Sequence, residues 1–122
     1  MADFTRWLAR LPEPVAEQVD ADLDYLAQFG RAAALPAARH RVRGSAHFPD
    51  MAETRSSAAV AGRVWVVRCL VVFADRDRAL ACCIGGDKAA WERRHPGSDW
   101  YEAYVPVADE IFRALRTEKG WP

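Results

Sequence analysis

The chain has 122 residues, 51% of them hydrophobic and 28% charged, which predicts one globular domain and excludes a disordered chain. Its longest nearly apolar run, residues 64–74, is short and contains Arg68, which excludes a membrane-spanning helix there. The first residues lack the basic start and apolar stretch of a signal peptide, so we expect a cytoplasmic protein. An odd number of cysteines in apolar segments favours free buried thiols over disulfides: Cys69, Cys82 and Cys83.

The 17 basic and 17 acidic side chains cancel overall but are unevenly spread. Residues 1–30 carry six acidic and two basic side chains, whereas residues 31–68 carry seven basic and two acidic ones. This pattern is compatible with a local anion-binding site on a neutral protein, and equally with a solvated face where charges cluster by accident.

Two helices are predicted at the start of the chain. Phe4, Trp7, Leu8 and Leu11 have the spacing of one side of a short first helix, which ends near Pro12 or Pro14. A second helix is predicted over residues 13–29, with Gly30 as its C-cap. Its apolar face consists of four residues: Val15, Val19, Leu23 and Leu26.

The middle of the chain predicts a basic loop followed by three antiparallel strands. Residues 31–50 have no clear period and contain the most basic stretch of the chain. Alternating residues from Met51 onward predict a short strand, and a Val-rich strand follows over residues 63–73. After a polar turn at residues 75–78, a third strand is predicted over residues 79–84, ending at Gly85-Gly86.

The tail predicts a helix that Ser98 or Asp99 caps and that Pro106 kinks or restarts. The order is therefore two helices, a small antiparallel sheet of about three strands or more, and a C-terminal helix. This order predicts an α+β fold in a single domain that covers residues 1–122.

Several landmarks resemble, in order, one branch of the RelE/HigB-like toxin superfamily. Met51-Ala-Glu-Thr-Arg55 is similar to a family Met-x-Glu-Leu-Arg segment, and Arg68-Cys-Leu-Val-Val-Phe73 is similar to its Arg-x-Leu-x-x-Phe strand. Gly85-Gly86-Asp87-Lys88 is the most specific match. Further matches precede and follow these segments: Gly44-Ser45, His47, Trp100-Tyr101 and Pro106-Val-Ala-Asp109.

The resemblance implies a RelE-like fold and the toxin component of a type II toxin–antitoxin system. Such toxins are metal-independent endoribonucleases that cleave mRNA, usually on the ribosome, and inhibit translation. The implied partners are mRNA and a cognate antitoxin, expected to be a helix-turn-helix protein, with no cofactor and no membrane. The first predicted element here is a helix, whereas members of the family normally begin with a β-strand.

Four residues are the candidates for RNA cleavage, which needs cations on the phosphate and groups that move protons. Arg68 interrupts an apolar strand, where a charge is costly unless it is paired or functional. Arg55 is expected on an adjacent strand, and Lys88 follows a Gly-Gly turn from which it could approach a phosphate. Tyr101 is expected to stack a base or donate a proton. Each has an ordinary alternative, namely an ion pair for the cations and core packing for the tyrosine.

RNA binding is assigned to further basic and aromatic residues, each of which is otherwise an exposed loop residue or part of the core: Arg39, Arg41, Arg43, His47 and Tyr104. Neither cysteine nor histidine spacing suggests a metal site. Two other functions stay open. One is a catalytically inactive toxin-fold protein that binds an antitoxin or RNA, which the neutral charge favours. The other is a ParE-like toxin that acts on gyrase.

Overall fold

The structure is a computed structural model that describes residues 2–30, 38–39, 42, 44–47, 50–75 and 79–120. These residues form, in chain order, α1 (Ala2–Ala9), α2 (Glu13–Phe29), β1 (Ala38–Arg39), β2 (Met51–Val60), β3 (Arg63–Asp75), β4 (Ala79–Gly86), α3 (Lys88–Arg94) and α4 (Trp100–Lys119). The predicted α+β class is confirmed, with two N-terminal helices, an antiparallel sheet and a C-terminal helix. Among the described residues, no helix has the length and apolar character needed to cross a membrane.

The four strands form one antiparallel sheet in the order β1-β2-β3-β4. The hairpin of β2 and β3 is the longest pairing and runs from Met51 opposite Val72 to Val60 opposite Arg63. Ala61 and Gly62 connect the two strands with φ angles of 50° and 80°. Two consecutive positive φ angles are typical of the primed turns whose twist matches that of paired strands.

The sheet separates two apolar cores, because successive side chains of a strand point to opposite faces. On one face, Val67, Cys69 and Val71 of β3 pack against α1 and α2. On the other face, Leu70 and Val72 of the same strand pack against α4. Helices therefore cover both faces of β3, which explains why its sequence is almost continuously apolar.

The second helix has the bounds that the sequence predicts, Glu13–Phe29. Val15, Val19 and Leu26 are fully buried at helical spacing, and Pro14 lies in the first turn, where its missing N–H costs nothing. Gly30 is the C-cap, and its N–H donates to the carbonyl of Leu26. The prediction of this helix from its apolar face and its glycine cap is thus confirmed.

The predicted restart of the C-terminal helix at Pro106 is wrong, because α4 is one helix from Trp100 to Lys119, whereas the kink stays a prediction. Pro106 is exposed, so water can hydrate the helix carbonyl that loses its N–H donor there. Asp99 is the N-cap, as expected, and its carboxylate accepts from the N–H of Tyr101 at 2.8 Å. Burial of Trp100, Val105 and Phe112 against the sheet stabilises α4 on both sides of the proline.

Candidate active site

Two arginines lie side by side on the sheet face that α4 partly covers. Arg55 of β2 and Arg68 of β3 are direct cross-strand partners, so their side chains emerge on the same face with Cβ atoms about 5 Å apart. Arg55 is exposed, and Arg68 is half-buried where the sheet passes under α3 and α4. The structure thus brings together two of the residues that the sequence selects for phosphate binding.

Arg68 is also held by a buried carboxylate. Its Nε lies 3.9 Å from Oε1 of Glu53, whose side chain is only 7% exposed. Within the described part of the chain, Arg68 Nε is buried and makes no hydrogen bond. A buried guanidinium N–H without an acceptor is costly, so Arg68 occupies an energetically unfavourable position in the sheet.

Lys88 is fixed by the helix that it begins. The expectation that it follows a Gly-Gly turn is wrong, because Gly86 is the last residue of β4 and Lys88 is the first residue of α3. Asp87 between them is the N-cap, and its Oδ1 accepts from the N–H of Ala90 at 3.0 Å. Lys88 Nζ donates to Glu92 Oε1 at 2.8 Å, one helical turn further on. The ammonium group therefore has a defined place on one side of α3.

Glu92 links this lysine to the arginines. The pKa of its carboxyl lies below the ordinary value, first because Lys88 donates a hydrogen bond and next because the N–H of Trp100 donates to Oε2 at 3.1 Å. Burial acts against this lowering, whereas the positive charges of Lys88 and Arg68 add to it. Because the charge of Arg68 acts on Glu92, the basic residues of β3 and α3 share one electrostatic environment.

Tyr101 completes the group from the first turn of α4. The Lys88 ammonium lies 5.6 Å from the centre of the Tyr101 ring, within the range of a cation–π contact. Tyr101 also packs edge-on against the ring of Trp100, with ring centres 5.3 Å apart. We call the three cations and their neighbours the basic cluster: Arg55, Arg68, Lys88, Glu53, Glu92 and Tyr101.

Steric contacts explain the two glycines of the Gly-Gly-Asp-Lys segment. A Cβ atom on Gly85 would lie 2.3 Å from the Trp7 ring, and one on Gly86 would lie 3.0 Å from Trp100 Nε1. Gly86 is also the cross-strand partner of Arg68. The glycines therefore let two tryptophans pack directly on the end of β4, and this packing sets where α3 and its lysine begin.

The residues assigned to RNA binding are not members of the basic cluster, and two of them lie outside the described residues. Tyr104 packs between Trp91 and Trp100, with ring centres 5.6 and 5.5 Å away. His47 packs edge-on against Phe112, and its Nε2 lies 3.2 Å from the carbonyl oxygen of Asp109. Arg39 lies opposite Glu53 in the β1–β2 pairing. Arg41 and Arg43 lie outside the described residues.

His47 belongs to a loop that a buried aspartate anchors to α4. Asp109 accepts from the hydroxyl of Ser45 at 2.5 Å and from the N–H of Ala46 at 2.8 Å. The Ser45 hydroxyl also accepts from the N–H of His47 at 2.9 Å. This loop is thus joined to α4 by three residues from the segments that carry the resemblance: Ser45, His47 and Asp109.

Glu92 is the residue of the cluster that sequence reasoning missed. It lies in the segment that follows the Gly-Gly-Asp-Lys motif, for which no helix was predicted. The sequence does contain a sign of this helix, because a lysine and a glutamate four residues apart stabilise a helix by pairing. The ion pair that the sequence analysis gives as the ordinary alternative for the cations is present at Arg68, where Glu53 is the partner.

The three thiols are free, as expected, with Cys69 and Cys83 buried and Cys82 half-buried. Burial raises the pKa of Cys69 and Cys83 to about 12 and that of Cys82 to about 11, so all three are protonated at neutral pH. Among the described residues, no group of three or more His, Cys, Asp or Glu side chains is arranged to hold a metal ion.

The basic cluster combines three cations with two carboxylates, so it retains one net positive charge. Glu53 and Glu92 each face a cation, whereas Arg55 is exposed and forms no ion pair with the described residues. Such an arrangement can attract an anion through Arg55 and bind it further through Arg68 and Lys88. No protein-family model, curated protein or solved structure matches this chain.

Proposed function

We propose that this protein is a metal-independent endoribonuclease, the toxin of a type II toxin–antitoxin system of the RelE/HigB-like kind. One observation carries the proposal: Arg55 and Arg68 are cross-strand partners on one face of the sheet. Lys88 contacts Glu92 and Tyr101, and the charge of Arg68 acts on Glu92. The four candidate residues all lie in segments that carry the resemblance: Arg55, Arg68, Lys88 and Tyr101. Arginines at a fixed spacing suit the oxygens of a phosphodiester, which two guanidinium groups can bind from two sides.

The reaction would be attack of an RNA 2′-hydroxyl on the adjacent phosphorus. An O2′–P bond forms, the P–O5′ bond breaks, and the products are a 2′,3′-cyclic phosphate and a 5′-hydroxyl end. The 2′-hydroxyl gives its proton to a solvent water, and the 5′ oxygen takes a proton from Tyr101, which solvent then reprotonates. Negative charge accumulates on the phosphorane oxygens in between, and fixed cations stabilise that charge more than they stabilise the starting phosphate.

Each side chain of the cluster has a role in this scheme. Arg68, oriented by Glu53, binds a non-bridging oxygen, while Arg55 attracts the strand and binds a second oxygen. Lys88 stabilises the phosphorane, and the hydroxyl of Tyr101 donates a proton to the leaving oxygen. Glu92 positions Lys88 and is a weak base because its pKa is lowered. Rate acceleration in this proposal therefore comes mainly from electrostatic stabilisation.

The proposal includes a cytoplasmic location. It also includes a helix-turn-helix antitoxin that keeps the protein silent, which the resemblance implies. A binding-only protein of the same fold is the second candidate. It is favoured by the two carboxylates, because Glu53 and Glu92 already offset two of the three cations that a cleaved phosphate would need.

Controlled expression in a bacterium tests the proposal. Wild type, Arg68→Ala and Arg68→Lys are induced in parallel, with growth and primer extension on total mRNA as readouts. Arg113→Ala is the matched control, because Arg113 is exposed on α4 and its ion pair within the described part of the chain is with the neighbouring Glu110. We expect wild type and the control to arrest growth and create new mRNA ends, and both Arg68 variants to do neither.

Two results would overturn the assignment. If wild type accumulates in folded form while growth and mRNA stay intact, the protein is the binding-only relative. If folded Arg68→Ala cleaves mRNA as wild type does, the nuclease site lies elsewhere.

A further inference from the structure

A cavity of about 450 Å³ lies beside the basic cluster, on another side of α3. Its volume falls in the range of roughly 300–1,000 Å³ that is typical of small-molecule sites. Lys88 and Glu92 share one side of α3, whereas Ala90, Trp91 and Arg94 face the cavity. Five aromatic side chains from α1, β3, α3 and α4 line it: Trp7, Trp65, Trp91, Trp100 and Tyr104.

The charged residues of the lining favour an anionic, planar ligand. Arg63 and Arg94 both line the cavity, and Asp87 is the acidic residue of the lining. Asp87 lies 3.6 Å from Arg63 and also caps α3, so its negative charge is already balanced by Arg63 and by the first turn of that helix. The remaining charge is positive, which disfavours an ammonium ligand despite the aromatic rings.

Three residues of the cavity lining already take part in stacking. The guanidinium of Arg63 lies over the Trp65 ring at 3.9 Å from its centre. Trp91 is stacked with His95, which does not itself line the cavity, with ring centres 4.2 Å apart and planes 15° apart. Nucleobases stack on aromatic rings and equally on arginine planes, so a base can extend either stack.

We propose that this cavity holds the base of a single-stranded RNA nucleotide next to the phosphate bound at the basic cluster. Two structural links between the cavity and the basic cluster support the binding of one RNA strand across both sites. Gly86 lines the cavity and is the cross-strand partner of Arg68. Trp100 lines the cavity, and the ring of the next residue, Tyr101, lies against Lys88. The identity of the polymer rests on the proposed function, whereas the binding of a base rests on the cavity itself.

Binding of a single-stranded RNA of about twelve nucleotides tests this inference. Its 2′-oxygens are methylated so that it cannot be cleaved, and fluorescence anisotropy at fixed salt gives the Kd. We expect Trp91→Ala and Trp65→Ala to raise the Kd at least about fivefold, the effect of losing one stacked base. Trp91→Phe keeps an aromatic ring and should lose less. Phe29→Ala, which removes a 48% exposed ring on α2, should not change the Kd.

A second measurement serves if the tryptophan variants fail to fold. Arg63→Ala and Arg94→Ala alter exposed side chains and should also weaken binding. The inference is overturned if wild type does not bind the methylated RNA, or if folded variants of the cavity bind it as wild type does. If a nucleoside monophosphate binds as tightly as the RNA, the inference that one RNA strand spans the cavity and the basic cluster is overturned. Trp91-dependent binding in a protein that cleaves no RNA would sustain the inference while the proposed function fails.

Discussion

Arg55 and Arg68 are direct partners across the β2–β3 hairpin, so two like charges face each other on one side of the sheet. Like charges in this relation destabilise a sheet, by roughly 0.2–1 kcal/mol. Glu53 offsets one of the two charges through Arg68, and Arg55 stays exposed to solvent. An anion bound between the two guanidinium groups would remove the repulsion, which is the physical reason to regard this pair as a phosphate site.

Replacing Arg55 should raise the stability of the fold while it lowers the affinity for RNA. In Arg55→Thr the repulsion with Arg68 is lost and a β-branched residue enters a strand, so we expect the free energy of unfolding to rise by up to about 0.5 kcal/mol. Affinity for RNA should fall about tenfold, because one charge-assisted contact is lost. Urea unfolding and RNA anisotropy measure both, with Arg113→Thr as the control. A loss of more than about 1 kcal/mol would instead make Arg55 a structural residue.

Glu53 and Arg68 should be coupled in stability. Arg68→Met removes one cation beside the buried Glu53, and Glu53→Leu removes the carboxylate beside Arg68, so each should lower the free energy of unfolding by about 3 kcal/mol. The double variant has no charge to bury and should recover at least half of the summed loss. A double-mutant cycle by urea unfolding measures this coupling. The stable double variant should still be inactive, and additive losses would contradict the pairing.

Gly85 should tolerate no side chain while Trp7 is present. In Gly85→Ala the new methyl group overlaps the indole ring at 2.3 Å, which should cost about 1–3 kcal/mol of stability. In a Trp7→Leu background the same substitution should cost much less, because the smaller side chain leaves room. Thermal unfolding of the four proteins gives the comparison. An equal cost in both backgrounds would mean that Trp7 does not pack on Gly85.

Glu92 should make stability depend on pH in the acidic range. Its folded-state pKa is lowered, so the unfolded chain takes up a proton first as the pH falls. The stabilisation is therefore complete above the ordinary value of 4.5 and is lost as the pH falls through the lowered pKa. Unfolding midpoints measured from pH 7 to pH 3 should show that wild type is more stable than Glu92→Gln at neutral pH and that this difference in stability disappears in acid. A difference in stability that grows in acid would contradict a lowered pKa for Glu92.

Much of the fold follows from local patterns along the chain. The apolar face of α2 and the glycine after it predict the helix, and the Val-rich run predicts β3. Arg68 is conspicuous in the sequence as a charge inside that run. Its alignment with Arg55 is not visible there, because register depends on the turn at Ala61-Gly62, where alanine takes a positive φ that asparagine or glycine adopts more readily.

The contacts that complete the site are tertiary, and the sequence does not reveal them. Trp7 and Gly85 are far apart in the chain and meet only when α1 packs against β4. Glu92 becomes part of the cluster because its two oxygens join Lys88 to the start of α4. The cavity beside α3 forms from five different elements, so its aromatic residues appear in the sequence only as ordinary core tryptophans and tyrosine.

The chemistry of the RNA ends tests the central claim most directly. Purified protein is incubated with mRNA and translating ribosomes, and the new ends are analysed after the ribosomes are removed. A chelator of transition metals is present, while the magnesium that ribosomes need is retained. The account predicts 2′,3′-cyclic phosphate and 5′-hydroxyl ends with wild type and with Arg113→Ala, and none with Arg68→Lys. Ends that carry a 5′-phosphate, or equal cleavage by Arg68→Lys, would contradict it.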